Sequence, residues 1–241
     1  MIKFENTEVV GWEHAIRGMR NPMNSWDKSD SLFGEFDVDG CGDCPYNGDQ
    51  CIKNEFANCI NIGPNDLDLM KRLRNAGTDH RKYLRMITVY VDITAPIYFW
   101  KEWSTYKIGT VANSCSTMHK IAAKKFKWED FSNEHLANTD ISHMEADEDA
   151  MNALQIVINA LNYNREKYLE TKDKKYWWQM IQLLPSSYNQ KRTVMLNYEV
   201  LNNMYKSRKN HKLDEWSIGF VDWIKTLPYA KELIIGEDEN E

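Results

Sequence analysis

No run of about 18 apolar residues occurs anywhere in the 241-residue chain, so a membrane-spanning helix is excluded. The amino-terminal MIKFENTEVV carries acidic residues and no apolar h-region. The expectation is therefore a cytoplasmic protein without a secretory signal. Positive charge is short as well: 30 Lys and Arg stand against 36 Asp and Glu, a net charge of −6. That balance argues against non-specific nucleic-acid binding through a basic surface. A local lysine patch remains at Lys120, Lys124, Lys125 and Lys127. It is either a solvated face or a device that draws in a phosphate-bearing ligand. No internal repeat is present, and the acidic tail at 236–241 is expected to be disordered.

What the chain does hold is aromatic: nine Trp, twelve Tyr and eight Phe. A chain of this length suffices for one sizeable domain that hides roughly 70–75% of its unfolded surface. Nine Trp, several of them on predicted helix faces (Trp100, Trp103, Trp177 and Trp178), exceed what a monomer readily covers, and such residues favour subunit interfaces. An oligomer is expected.

Residues 11–21 read as a short helix, and 28–62 as a long loop rich in Asp, Gly, Asn and Cys. Asn65-Asp66 can cap a helix that runs to Asn75 and stops at Gly77. Residues 86–94 (MITVYVDIT) are β-branched and apolar, which predicts a strand buried on both faces. Residues 95–106 follow as a helix with Pro96 in its first turn. Four more helical stretches are predicted at 145–171, 172–184, 189–209 and 213–227, the second continuing or restarting the first. The fold class is α+β: one domain over 1–235 with a small sheet, several long helices and a Cys-rich insertion at 28–62.

Cys41, Cys44, Cys51 and Cys59 lie within nineteen residues as C-x2-C-x6-C-x7-C. They form a structural zinc site, stay as reduced thiols, or hold an iron–sulfur cluster or disulfides. Cys115 stands apart and reads as a small buried thiol rather than a nucleophile.

The richest stretch is 95–119, APIYFWKEWSTYKIGTVANSCSTMH. Its aromatic helical pattern stops at Tyr106, and Gly109, Thr110, Asn113, Ser114, Ser116 and Thr117 follow. Short hydroxyls and free backbone amides can surround a phosphate or a heterocycle, so this is either a pocket wall or a turn of small residues. Farther along, Asn197 and Arg208 are eleven residues apart, within about 20° of one another if both lie on one helix. Leu201 and Met204 sit between them, so the stripe is either a pocket face or a core stripe with polar ends.

Three ordered blocks of this chain resemble the flavin-dependent thymidylate synthases. That family carries A-P-I-F-x-x-R-Q-W, then R-H-R, then N-E-x-S-x-R-Y. Here Ala95-Pro96-Ile97-Tyr98 and Glu102-Trp103 match the first, and Thr105-Tyr106-Lys107 stand at the triplet. Residues 113–119, NSCSTMH, stand at the last, after a one-residue insertion near Thr110. Upstream, His80, Leu84, Val89 and Val91 match H-x-S-x-L-E-H-x-x-F-x-F, with Lys82, Arg85 and Met86 substituted. Downstream, Asn197, Leu201, Met204, Tyr205, Arg208 and His211 match N-x-R-x-L-x-x-F-L-x-x-R followed by a histidine, with Glu199 in place of the first arginine.

The resemblance implies a one-carbon transfer to a pyrimidine deoxynucleotide such as dUMP. FAD would be the cofactor, with methylenetetrahydrofolate and NADPH as co-substrates, in a homotetramer whose sites form between subunits. Arg208 would orient the base. Asn113, Ser114, Ser116 and Thr117 would contact the nucleotide, while Tyr106, Lys107, Asn197, Asn203 and His211 would line the flavin. Thr105, Tyr106, Met86, Ser114 and Met118 replace groups that grip flavin or nucleotide in the family. Those replacements leave a second reading, a catalytically inactive oligomeric binding protein that keeps the fold. A third is a metal-stabilised interaction module built on the Cys loop.

Overall fold

The computed structural model describes residues 2–34, 59–136 and 150–236. In chain order they form β1 (Lys3–Val10), α1 (Trp12–Arg20), β2 (Leu32–Gly34), β3 (Cys59–Asn61) and α2 (Pro64–Asn75). Next come β4 (Thr88–Pro96), α3 (Ile97–Trp103), β5 (Val111–Ser114) and α4 (Thr117–Lys120). Then follow α5 (Ala150–Thr171), α6 (Lys174–Leu183), β6 (Asn189–Asn197), α7 (Tyr198–Arg208) and α8 (Val221–Lys225). The four-stranded sheet has the order β1-β4-β6-β5, and β2 pairs with β3 in antiparallel register. The class is α+β, as expected. The described chain forms two compact units: residues 2–3, 93–106, 112–136 and 150–193, and residues 4–34, 59–92, 107–111 and 194–236.

In the first unit, Leu154, Ile158 and Leu161 of α5 recur at helical spacing and bury one stripe against Met180 of α6, Ile121, Phe126 and Phe131. Asp173 opens α6 by accepting a hydrogen bond from Lys175 N at 3.0 Å, so the chain restarts here instead of continuing α5. The acidic residues expected to open a helix at 145 lie outside the described residues.

In the second unit, Trp12 packs edge-on against Tyr198 and Tyr229, with centroids 5.3 and 5.6 Å apart. Phe4 stacks on Trp223 at 4.7 Å. Arg20 and Asp66 form a buried ion pair at 2.6 Å. The same carboxylate accepts from the hydroxyls of Ser29 and Ser31 and from the backbone of Asp30 and Ser31. Burial pushes Asp66 up, but these hydroxyls and the guanidinium outweigh it, and its carboxyl sits below the usual range. The network pins residues 25–31 to the start of α2.

Several expectations need correction. Asn65 and Asp66 do not cap α2: Gly63 is its N-cap with Pro64 behind it, and the Asp30 carboxylate accepts from Asn65 N and Asp66 N instead. A capping oxygen thus comes from a residue distant in sequence. Gly77 closes the helix at φ 107, as expected. The stretch 28–62 is not wholly loop, since its two ends pair as β2 and β3. The strand expected at 86–94 runs from Thr88 to Pro96 and alternates: Val89, Val91, Ile93 and Ala95 are buried while Tyr90 is exposed. One face, not both, is fully covered.

The largest correction is at 189–209. This is not one helix but strand β6 followed by α7. Val194 and Leu196 are buried at a period of two, and pairing in the sheet overrides the helical reading. Asn197 is extended at φ −133° and ends the strand. The expected helix at 213–227 contains a π-helical turn, Glu215–Phe220, before α8.

Candidate functional site

In the first unit, α3 buries Phe99, Trp100 and Trp103 as mutually tilted rings, which removes Trp100 and Trp103 from any surface surplus. The indole N–H of Trp100 donates to Ala95 O at 3.0 Å and Gln190 O at 2.9 Å, bolting the ring between β4 and β6. The helix is shorter than the expected 95–106: Pro96 ends β4 and serves as the extended N-cap, α3 stops at Trp103, and Thr105 N and Tyr106 N donate back to the Glu102 and Trp103 carbonyls in the turn that follows.

The run that follows is more than a turn of small residues. It forms β5 at the edge of the sheet, with Asn113 and Ser114 exposed. Ser116 caps α4 by accepting from His119 N at 3.1 Å, and Thr117 is half-buried. Cys115 is exposed, not buried, because its position lies just beyond the edge strand. Its N–H donates to Lys191 O at 3.0 Å, and Gln190 Nε2 donates to its carbonyl at 2.9 Å. Arg192 stands beside them, its guanidinium 4.3 Å from the centroid of Trp100. Burial lowers its pKa from the ordinary arginine value. Of the lysine patch, Lys124 is held by Asp130 at 2.6 Å, which raises its pKa.

In the second unit, α7 organises the remaining candidates. Asn197 Oδ1 accepts from Val200 N at 3.0 Å, making this side chain the helix cap. Its position off the helix replaces the expected shared stripe with Arg208. Leu201 and Met204 are fully buried core residues. Glu199, also buried, pairs with Arg81 Nε at 2.9 Å, and Arg81 Nη2 donates to Asn203 Oδ1 at 3.3 Å. Asn203 itself is exposed. The guanidinium of Arg208 lies 4.9 Å from the ring of buried Trp216, and the His211 ring is 6.3 Å from the same indole. His211 Nδ1 accepts from Leu213 N at 3.1 Å. Gly109 approaches the start of α7 so closely that a Cβ there would lie 2.9 Å from Val200 Cγ2 and 3.1 Å from Asn197 Nδ2.

Asn113, Ser114, Ser116 and Thr117 thus gather in the first unit, where Tyr106 is half-buried. Asn197, Asn203, Arg208 and His211 gather around α7 in the second, with Lys107 exposed. Cys41, Cys44 and Cys51 lie outside the described residues, and Cys59 opens β3. Among the described residues no group of three His, Cys, Asp or Glu side chains gathers as a metal site. None of the described helices is long and apolar enough to cross a membrane. Two arginines escaped sequence reasoning: Arg81, which joins Glu199 to Asn203, and Arg192. Had 189–197 been read as a strand, an arginine in phase with Val194 and Leu196 would have flagged itself.

No family model and no curated protein matches the chain. Among solved structures it is similar to thymidylate synthase X of Helicobacter pylori with FAD and dUMP. That likeness has a TM-score of 0.62 at 14% identity and covers 100% of both chains. A second structure, the flavin-dependent thymidylate synthase of Helicobacter pylori complexed with FAD and dUMP, gives a TM-score of 0.62 at 15% identity. It covers 96% of this chain and 97% of that one. At such identities the likeness establishes the fold, a flavin-dependent thymidylate synthase-like one.

Proposed function

We propose that this chain is a divergent flavin-dependent thymidylate synthase-like protein that binds FAD and transfers a one-carbon group to a pyrimidine deoxynucleotide such as dUMP. The observation that carries the reading is the fold, shared over the whole chain with structures that hold FAD and dUMP. The donor set fits both ligands. In the second unit, Asn203 presents an exposed amide beside Arg81, and Lys107, Asn197 and His211 complete a set that can line a flavin. In the first unit, Asn113, Ser114, Ser116 and Thr117 offer a carboxamide and hydroxyls to a nucleotide. Arg208, steadied by Trp216, would donate to the base carbonyl. Bound reduced FAD supplies the reducing equivalents, with NADPH and methylenetetrahydrofolate as co-substrates. The homotetramer, with sites formed between subunits, and the cytoplasmic setting belong to the same reading. So does a structural zinc on Cys41, Cys44, Cys51 and Cys59, whose presence elemental analysis of the purified chain decides.

A second reading has its own observation. Glu199, in place of an arginine, is consumed by Arg81, and exposed Met118 brings no charge where the family has an arginine. These suit an inactive oligomeric binding protein that keeps the fold. One set of measurements separates the two. Purified protein should show flavin visible absorbance or take up FAD, melt higher with dUMP, and yield methylated nucleotide by mass spectrometry when given all co-substrates. Binding without product supports the inactive protein. The absence of both flavin uptake and a dUMP-induced melting shift would overturn both readings.

A further inference from the structure

Residues 190, 192, 194 and 196 of β6 share one face of the strand. Val194 and Leu196 use that face as core, with no exposure at all. Two positions earlier the same face carries a guanidinium. Arg192 is half-buried, its guanidinium 4.3 Å from the centroid of Trp100, an indole whose own N–H is anchored to two backbone carbonyls. Its Nε donates to Gln190 Oε1 at 3.0 Å, and that amide is oriented by its other end, which donates to Cys115 O. The guanidinium is therefore held in place by an anchored indole on one side and a fixed amide at its Nε. Among the described residues no carboxylate pairs with it, and neither terminal nitrogen has a hydrogen-bond partner. Arg20 and Arg81, also largely buried, each hold a carboxylate, Asp66 and Glu199. Withdrawing a cation from water without an anion is unfavourable unless something else supplies the charge.

We propose that Arg192 anchors an oxyanion-binding site in the first unit, its two terminal nitrogens presenting parallel N–H donors to a phosphate group. The planar fork matches two phosphate oxygens at once, and a side chain already held in place loses little freedom on binding. Trp100 forms the floor and Gln190 the brace. This inference rests on the nucleotide reading for its ligand: the oxyanion is the phosphate of the deoxynucleotide monophosphate, and inorganic phosphate shares the chemistry.

The test is calorimetric titration of wild type, Arg192→Gln and Arg192→Lys with dUMP, deoxyuridine and inorganic phosphate, with circular dichroism to confirm folding. Wild type should bind dUMP roughly ten- to a hundredfold more tightly than Arg192→Gln, the range for one charge-assisted contact. Deoxyuridine should bind both equally weakly, phosphate should compete with dUMP only in wild type, and Arg192→Lys should recover part of the loss. Equal dUMP affinity in wild type and Arg192→Gln overturns the anion site and leaves the nucleotide reading standing. Phosphate binding that needs Arg192, with dUMP no better than phosphate, keeps the site and removes the nucleotide. If Arg192→Gln does not fold, wild type alone decides: equal affinity for dUMP and deoxyuridine, or no binding of either phosphate ligand, overturns the proposal.

Discussion

Asn197 and Asn203 are two asparagines six residues apart with opposite structural duties, and exchanging them separates architecture from flavin binding. Asn197 caps α7 through its Oδ1, and losing such a cap costs about 0.5–2 kcal/mol. In a chain this long that lowers the melting temperature by roughly 2–4 °C per kcal/mol. Asn203 is exposed and receives only a long hydrogen bond from Arg81 at 3.3 Å, so its truncation should shift stability by no more than about 0.5 kcal/mol. If both amides line the flavin, each contributes a neutral hydrogen bond of about 0.5–1.5 kcal/mol, a roughly two- to tenfold change in FAD affinity. The assay is thermal melting without ligand, paired with FAD titration by fluorescence quenching. Asn197→Ala should lower both melting temperature and affinity. Asn203→Ala should lower affinity alone. Asn197→Asp retains a capping oxygen and should restore the ligand-free melting temperature while FAD stays weak, since the Nδ2 donor is gone. The reasoning fails if Asn203→Ala lowers ligand-free melting as far as Asn197→Ala, or if neither alanine variant changes FAD affinity.

Arg208→Ala removes the stack on Trp216, about 0.5–2 kcal/mol of stability, and should also weaken dUMP roughly ten- to a hundredfold. A lower ligand-free melting temperature with an unchanged dUMP shift would confine Arg208 to packing. Asp66→Asn strands buried Arg20 and should cost about 3–5 kcal/mol in denaturant unfolding at neutral pH. Because the Asp66 carboxyl sits below its ordinary value when folded, its stabilisation is fully present above pH about 4 and disappears as pH falls through the lower folded value. The wild type should therefore lose its advantage over Asp66→Asn in strong acid, and a constant gap from pH 7 downward would contradict the assignment. Sedimentation at micromolar concentration should show a homotetramer. With Trp100 and Trp103 buried, the apolar surface available for it in the first unit includes Ile156, Tyr163 and Trp178, and a monomer would refute the assembly.

Local chemistry made much of the fold legible. The MITVYVDIT stretch announced a strand, Gly77 a helix end, and 145–171 a long helix, since steric preference and apolar spacing act within a few residues. The three motif blocks pointed to the fold that the solved structures share over the full chain. Other features depended on partners distant in the chain. The stretch 189–197 is a strand because β4 and β5 flank it, and no property of its own residues says so. Asp30 rather than Asn65 caps α2, because an extended segment far upstream carries the carboxylate to the helix amides. The polar run at 111–114 became an edge strand once β6 lay beside it. Arg81 and Arg192 acquired their roles in the same way. Charge and hydrogen-bonding capacity are properties of a residue, but whether a buried guanidinium meets Glu199 or only an indole and an amide is set by what folding brings within about 4 Å.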